Sequence, residues 1–206
     1  MTTAAPAKET LGFQAEVKQL LDTAIVDPLY PLWMVLLTMG LRSGEARGLQ
    51  WCDINLRDRL LTVQRQLQWV DGVLTLIPPK SASAYRTLPI PHVTLEVLAN
   101  HHEDEVGKGR GKPDDLCFYN SEGRPVSQTY VQKRFKALLT RAGLPDIRLH
   151  DLRHSCATLL IGKNVPMKTV QEWLGHSDYR ITADIYSHVT STMLDDAAAA
   201  MNGVIG

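Results

Sequence analysis

Two residues near the end of this sequence have the types and spacing to act together on a phosphodiester. His150 and Arg153 stand three residues apart at the start of a predicted helix, a spacing that places both side chains on one face. Alone, such a pair is more often a helix-capping histidine and a solvated arginine. Here the same chain also offers Arg42, Lys80, and His176 followed by a tyrosine ten residues later. Arginine keeps its charge at any relevant pH and can bind two oxygens at once. Together these side chains suit the charge that builds on a phosphodiester in its transition state.

Composition and charge limit the classes of protein to which the chain can belong. It has 206 residues, 44% hydrophobic and 21% charged, which is ordinary for one soluble globular domain. We expect a cytoplasmic protein, because no apolar run reaches membrane-spanning length and the first ten residues lack a secretory layout. The 22 Lys and Arg residues balance 22 Asp and Glu residues, which argues against a general polyanion binder. Basic residues concentrate between 133 and 153, however, and predict a basic face.

The apolar spacing predicts a mainly helical α+β fold. A first helix ends near Asp27-Pro28, a buried helix covers residues 29–39 with Gly40 after it, and Ser43 is expected to cap a short helix reaching Leu49. Another helix is expected over residues 93–105. The sequence after Ser127 is predicted to be helical, with breaks near residues 143–145, 162–166 and 175–178. The last helix is predicted at 192–201.

A small three-stranded antiparallel sheet is predicted in the middle of the chain. Residues 60–65 and 73–77 flank the turn sequence Asp71-Gly72 and are predicted to pair, with residues 87–90 as the third strand. The loop over residues 78–86 is expected to present Lys80 and Arg86 to solvent. The three cysteines (Cys52, Cys117 and Cys156) are expected to be reduced and packed, since neither a disulfide framework nor a C-x-x-C spacing is present.

The chain resembles the tyrosine recombinases, or phage integrases. The resemblance lies in T-M-G-L-R-S-G-E at 38–45, Pro79-Lys80, L-H-D-L-R-H-S at 149–155, L-G-H-S-D at 174–178 and I-Y-S-H-V at 185–189. These motifs span nearly the whole chain in the family's order. The resemblance implies the tyrosine recombinase catalytic-domain fold over residues 11–189. Residues 1–10 would be a flexible leader and residues 190–206 a C-terminal tail helix exchanged between protomers.

The resemblance also implies a role for each residue of the set. Arg42 and Arg153 would clamp the scissile phosphate, and Lys80 would protonate the departing 5′ oxygen. His150 would accept the proton of Tyr186, the nucleophile. The two remaining roles are phosphate binding by His176 and a supporting role for Glu45. A tyrosine hydroxyl titrates near pH ~10, so a nearby proton acceptor is needed for attack at neutral pH.

The implied activity is site-specific DNA cutting and rejoining through a 3′-phosphotyrosine, for integration or excision of a phage or mobile element. The implied partner is double-stranded DNA, bound by four protomers on two attachment sites, with accessory DNA-bending proteins in some systems. No cofactor or metal is expected, because the sequence lacks a phosphate-binding loop and a carboxylate cluster near the basic residues. Two alternatives stay open: DNA relaxation like that of a type IB topoisomerase, and an inactive DNA-binding module on the same fold.

Other features have plainer interpretations. Tyr179 lies seven residues before Tyr186 and could be mistaken for the nucleophile, but the family spacing favours Tyr186. The run from His101 to Glu105 is read as a solvated helix end rather than a metal site. The Gly-Lys-Gly-Arg-Gly-Lys run at 107–112 is interpreted as a surface loop, and the four tryptophans as core or rim packing residues rather than base-stacking platforms. Arg47 departs from the family's usual apolar residue and is expected to touch no catalytic position.

Overall fold

The computed structural model describes residues 14–177, which form seven α-helices and two small β-sheets. The α-helices of this part are α1 Gln14–Ala24, α2 Tyr30–Thr38, α3 Ser43–Arg47, α4 His92–Gly107, α5 Gln128–Ala142, α6 Asp151–Gly162 and α7 Met167–Leu174. The strands are β1 Ile54–Asn55, β2 Leu60–Val63, β3 Gln66–Val70, β4 Val73–Ile77 and β5 Arg86–Pro89. Short 3₁₀ turns cover Trp51–Asp53 and Ala82–Ala84.

The helices predicted within this range are confirmed. The apolar α2 buries six consecutive residues from Leu32 to Leu37, as a helix enclosed on most sides should. Gly40 follows it with a positive φ of 60°. At the start of α5, the Ser127 hydroxyl accepts a hydrogen bond from the Tyr130 amide, and Gly143 ends the helix in the left-handed conformation.

The predicted strand pairing is wrong, although the molecule does contain a three-stranded antiparallel sheet. That sheet has the order β1-β2-β5, whereas β4 pairs with β3 in a separate hairpin. The cause is the turn: Asp71 and Gly72 both have positive φ, at 48° and 78°. Such a two-residue turn joins the strands directly beside it, so Val70 pairs with Val73. Leu61 of β2 is free to pair with Leu88 of β5.

The core lies between α2 and the helices that cross it. Trp33 of α2 packs on Phe135 of α5, with ring centroids 5.8 Å apart. Helix α2 also packs against α4 and α6, and α7 packs on α6. The α6–α7 contact buries Cys156, Ile161 and Leu174 in a smaller cluster. This cluster fixes the end of α7 beside the start of α3.

The two terminal segments predicted from the sequence fall outside the described residues. These are the leader at 1–10 and the tail at 190–206, together with the helix expected at 192–201. The domain boundaries therefore stay predictions. Among residues 14–177, no helix is both long and apolar enough to span a membrane.

Candidate active site

Arg42 and Glu45 form a local unit at the start of α3. Arg42 occupies the N-cap position with extended backbone, so the expectation that Ser43 caps the helix is wrong. The physical reason is that Glu45 reaches back: its Oε2 accepts the Arg42 amide at 3.0 Å. Glu45 Oε1 also accepts a hydrogen bond from Arg42 Nη1 at 2.6 Å. The carboxylate, which is 2% exposed, thereby orients the half-buried Arg42 guanidinium.

Arg153 is buried in the first turn of α6, with 3% of its surface exposed. Its Nη1 donates to the Gly40 carbonyl at 2.7 Å and its Nη2 to the Leu174 carbonyl at 2.5 Å. Burial, together with the positive charge of Arg42, lowers the pKa of Arg153 to about 9, against the opposing effect of Glu45. The guanidinium therefore sits in a region that already carries surplus positive charge.

His176 lies one residue beyond the left-handed Gly175 that ends α7. Its backbone is held by Gln171, whose carbonyl accepts the His176 amide and whose side-chain amide donates to the His176 carbonyl. Burial lowers the pKa of His176 to about 3, and the positive charges of Arg153 and Arg42 contribute to the shift. His176 is therefore neutral across the physiological range.

The carbonyl groups at the end of α7 bring the two arginines together. Arg153 bonds the carbonyl of Leu174, and Arg42 Nη2 donates to the carbonyl of Gly175 at 3.2 Å. His176 follows directly. The structure thus joins Arg42, Glu45, Arg153 and His176, which come from three separate parts of the chain, in one cluster.

Arg86 belongs to this cluster, and the prediction that it faces solvent is wrong. Its side chain is 7% exposed and forms an ion pair with Glu45, with 3.0 Å between Nη2 and Oε2. It also donates to the carbonyls of Trp173 and Ala84, each at 2.9 Å. Sequence reasoning missed this residue because a polar loop gives no sign that its last arginine folds inward. The structure explains its course: the buried charge of Glu45 needs compensation, and Arg86 supplies it.

The charge state of Glu45 reflects these partners. Burial by itself would raise the pKa of Glu45. The charge of Arg86 and the hydrogen bonds from Arg86 and Arg42 outweigh burial and lower the pKa below its ordinary value. Glu45 is therefore an anion between two cations, and it leaves the cluster with net positive charge.

His150 stands at the N-cap of α6 and is exposed. Its ring meets that of His154 edge to face, with centroids 5.1 Å apart. Loss of solvation lowers its pKa, and the charges of His154 and Arg153 act in the same direction. A neutral imidazole in this position can accept a proton near neutral pH.

Lys80 and Tyr186 are not joined to the cluster by any described contact. Lys80 is exposed in the loop after β4, and no hydrogen bond or ion pair connects it to another residue of the range 14–177. Its loop does approach the cluster, because a Cβ added to Gly175 would lie 2.8 Å from the Ser83 carbonyl. Tyr186 and Tyr179 both lie outside the described residues.

The histidines of α4 have structural partners. His101 bonds the Cys117 carbonyl at 2.7 Å, and His102 bonds the Gly111 carbonyl at 3.2 Å. Glu105 is paired with Lys108 and Arg110. Across residues 14–177, no group of three His, Cys, Asp or Glu side chains could hold a metal ion.

The surface of this part of the chain bears on three expectations. Most basic residues of the stretch 133–153 pair with acids or lie buried, for example Arg134 with Asp27 at 2.9 Å, while Lys133 is exposed. The expectation that all three cysteines are packed is wrong, because Cys52 is exposed, whereas Cys117 and Cys156 are buried. Trp69 is 54% exposed on the β3–β4 hairpin and therefore lies outside the core.

Comparisons with known proteins find tyrosine recombinases and integrases among the relatives of this chain. The chain is 32% identical to the tyrosine recombinase XerC-like protein of Caldanaerobacter subterraneus, covering 91% of this chain and 52% of that protein. It is 30% identical to the ICEBs1 integrase of Bacillus subtilis, covering 73% of this chain and 42% of that protein. The chain thus spans about half the length of these relatives.

Solved structures show the same fold. The Tn1549 transposon integrase, solved in complex with transposon right end DNA, superposes with a TM-score of 0.83 at 24% identity, covering 100% of this chain and 69% of that chain. The XerA recombinase superposes with a TM-score of 0.76 at 20% identity, covering 96% of this chain and 66% of that chain. The fold is therefore that of tyrosine recombinase catalytic domains. Residues 13–193 match the sequence model of the phage integrase family, and the chain belongs to that family.

Proposed function

We propose that this chain is the catalytic domain of a site-specific DNA recombinase that cuts and rejoins strands through a 3′-phosphotyrosine. The observation that carries the proposal is the pair of arginines, Arg42 and Arg153, bonded to consecutive carbonyls beside His176. Three arginines and one glutamate leave this cluster with net positive charge. A phosphodiester gains negative charge on its nonbridging oxygens as it reacts, so a preorganised cationic cluster stabilises the transition state more than the ground state.

The proposed reaction starts with attack of the Tyr186 hydroxyl on the scissile phosphorus. The bond from phosphorus to the 5′ oxygen breaks, Lys80 supplies the proton to that oxygen, and His150 accepts the proton of the tyrosine. The lowered pKa of His150 suits a proton acceptor at neutral pH. The new phosphotyrosine keeps the energy of the broken ester, so the reverse attack by a 5′ hydroxyl rejoins DNA without ATP.

His176 has a different role in this scheme. With its pKa lowered to about 3, it stays neutral and can donate one N–H to a nonbridging oxygen without exchanging protons with substrate. We therefore assign it to phosphate binding and assign proton transfer to His150.

The proposed substrate is double-stranded DNA carrying attachment sites, bound by four protomers, with accessory DNA-bending proteins where the site requires them. Support comes from family membership and from the Tn1549 transposon integrase, which shares this fold and is solved in complex with transposon right end DNA. Integration or excision of a phage or mobile element is the proposed use, inside the bacterial cytoplasm.

A covalent-capture experiment tests the proposal. The 206-residue chain is incubated with a pool of duplexes that carry a nick near a randomised core, so that cleavage releases a short fragment and traps the enzyme on DNA. Adducts are recovered under denaturing conditions and sequenced. We expect adducts from the native chain and from Tyr179→Phe, and none from Tyr186→Phe, which loses only a hydroxyl and should still bind DNA.

Other outcomes would identify the alternatives. Binding of DNA without an adduct from the native chain would indicate an inactive module. Adducts without sequence preference, together with relaxation of supercoiled plasmid by the monomer, would indicate a topoisomerase. Adducts from Tyr186→Phe that vanish in Tyr179→Phe would assign the nucleophile to Tyr179.

A further inference from the structure

Arg86 occupies a position that the proposed reaction does not yet use. It is the first residue of β5, yet its side chain runs inward and contacts three elements. One hydrogen bond goes to Glu45 of α3, one to the Trp173 carbonyl in the last turn of α7, and one to the Ala84 carbonyl of its own loop. A side chain bonded to three acceptors on different elements holds these elements at fixed distances from one another.

The ion pair with Glu45 links Arg86 to the orientation of Arg42. Glu45 binds Arg42 through Oε1 at 2.6 Å and Arg86 through Oε2 at 3.0 Å. Both oxygens are thus committed, and the carboxylate plane is set by two guanidinium groups at once. Without Arg86, the Glu45 carboxylate would be held, among the described residues, by Arg42 alone, through the hydrogen bond from the amide to Oε2 and the one from the guanidinium to Oε1.

The bonds to the helix end link Arg86 to His176 as well. Gly175 is packed so closely against Arg86 that an added Cβ would lie 3.0 Å from Arg86 Nη1 and 2.8 Å from the Ser83 carbonyl. The chain between Trp173 and His176 therefore has little freedom to shift while Arg86 is in place.

We infer that Arg86 is a positioning residue, which acts through Glu45 on Arg42 and through the end of α7 on His176. Its donors face Glu45 and main-chain carbonyls, so it is not assigned to the phosphate itself. The inference rests on the proposed function, since it concerns the same cluster.

The test compares Arg86→Met with Arg47→Met, measured on a duplex recovered by the covalent capture. Arg47 is a suitable control because it is also a buried arginine, at the end of α3, and it donates to Ser43 Oγ and to the carbonyls of Val126 and Leu67 but to no residue of the cluster. Both substitutions remove a buried charge, so both should lower the melting temperature. At saturating DNA, we expect Arg86→Met to slow adduct formation by on the order of 100-fold, the loss typical of a misplacement of about 1 Å. Arg47→Met should stay within about threefold of native.

A neutral substrate separates positioning from simple loss of stability. Replacing the scissile phosphate by a methylphosphonate removes one charged oxygen, so the arginine clamp matters less on that substrate. The factor by which Arg86→Met is slower than the native chain should therefore be at least about tenfold smaller on the methylphosphonate than on the phosphate. The corresponding factor for Arg42→Ala should shrink in the same way. The factor for Arg47→Met should not change.

Further variants keep the inference testable if Arg86→Met fails to fold. Arg86→Lys keeps the charge but cannot reach three acceptors, so it should bind DNA normally and still react slowly. Equal rates for Arg86→Lys and native, or equal rate losses for Arg86→Met and Arg47→Met, would overturn the positioning role. The proposed function would survive either result, because it stands on the native chain forming an adduct through Tyr186.

Discussion

Arg42 and Arg153 donate hydrogen bonds to neighbouring carbonyl groups of one helix end, those of Gly175 and Leu174. The two arginines are far apart in sequence and belong to different helices, and the end of α7 acts as their shared anchor. Such anchoring uses part of each guanidinium and leaves other N–H groups available, since each has five donors. A preorganised pair of cations needs little rearrangement when a phosphate binds.

Replacing Arg153 should damage catalysis more than DNA binding. Arg153→Ala removes a charge-assisted contact to the transition state, which is worth about 3 kcal/mol, so adduct formation at saturating DNA should slow by roughly 100-fold or more. Arg153→Lys should recover part of the rate, because the charge returns without the planar fork. Single-turnover capture measures the rate, and fluorescence anisotropy measures binding. Equal losses of rate and affinity would assign Arg153 to ground-state binding instead.

A substitution of Lys80 allows an effect on catalysis to be separated from an effect on folding. The side chain is exposed and has no partner among the described residues, so Lys80→Ala should change the free energy of unfolding by no more than about 0.5 kcal/mol. Adduct formation should slow strongly on ordinary DNA. A substrate with sulfur in place of the bridging 5′ oxygen has a leaving group that needs no proton, and it should restore the rate. Lys112→Ala, another exposed lysine on a loop, serves as the control. A rate that stays low with the sulfur substrate would place the general acid elsewhere.

The local features of this fold were predictable from sequence, and the long-range pairings were not. Apolar spacing with a proline or glycine at the end defined α1, α2 and α5, because those signals lie within the helix or next to it. The predicted strand pairing was wrong because the partner of residues 73–77 depends on the backbone conformation of Asp71 and Gly72. That conformation pairs residues 73–77 with the adjacent residues 66–70. A sequence shows that a turn is present more readily than it shows which residues flank it.

The candidate site shows the same division. The residues of the motifs could be named because their types and order follow the family. The inward course of Arg86 could not be predicted, since its acceptors lie 41 and 87 residues away, on Glu45 and Trp173. The ion pair of Arg134 could not be predicted for a similar reason, because its partner Asp27 is 107 residues distant.

His176 should make the stability of the fold depend on pH. Its pKa is about 3 in the folded protein, below the ordinary value of 6.5, so the unfolded chain binds the proton more readily. The contribution of His176 to the free energy of unfolding is therefore fully present above pH 6.5 and is lost as the pH falls toward 3. The slope from one proton can reach about 1.4 kcal/mol per pH unit. Urea denaturation between pH 7 and pH 5 should show a smaller loss of stability for His176→Gln than for native.

Gly175 and Gly143 provide a matched pair for testing how tightly the site is packed. Both end a helix in the left-handed conformation, with φ of 66° and 62°. An added Cβ at Gly143 meets nothing within 4 Å, whereas at Gly175 it would lie 2.8 Å from the Ser83 carbonyl. Gly143→Ala should therefore cost only the conformational penalty of about 1–2 kcal/mol. Gly175→Ala should cost that amount and a further ~1–3 kcal/mol for overpacking.

The Gly175 substitution should also affect the reaction rate. Relief of the clash must move either the loop that carries Lys80 or the backbone of residue 175, which directly precedes His176. We expect Gly175→Ala to slow adduct formation while Gly143→Ala leaves it unchanged, both measured at a temperature where each variant is folded. Urea denaturation gives the two stabilities for comparison. Similar free-energy losses and similar rates in the two variants would mean that the end of α7 tolerates displacement. The close packing around Arg86 would then not be what holds His176 in place.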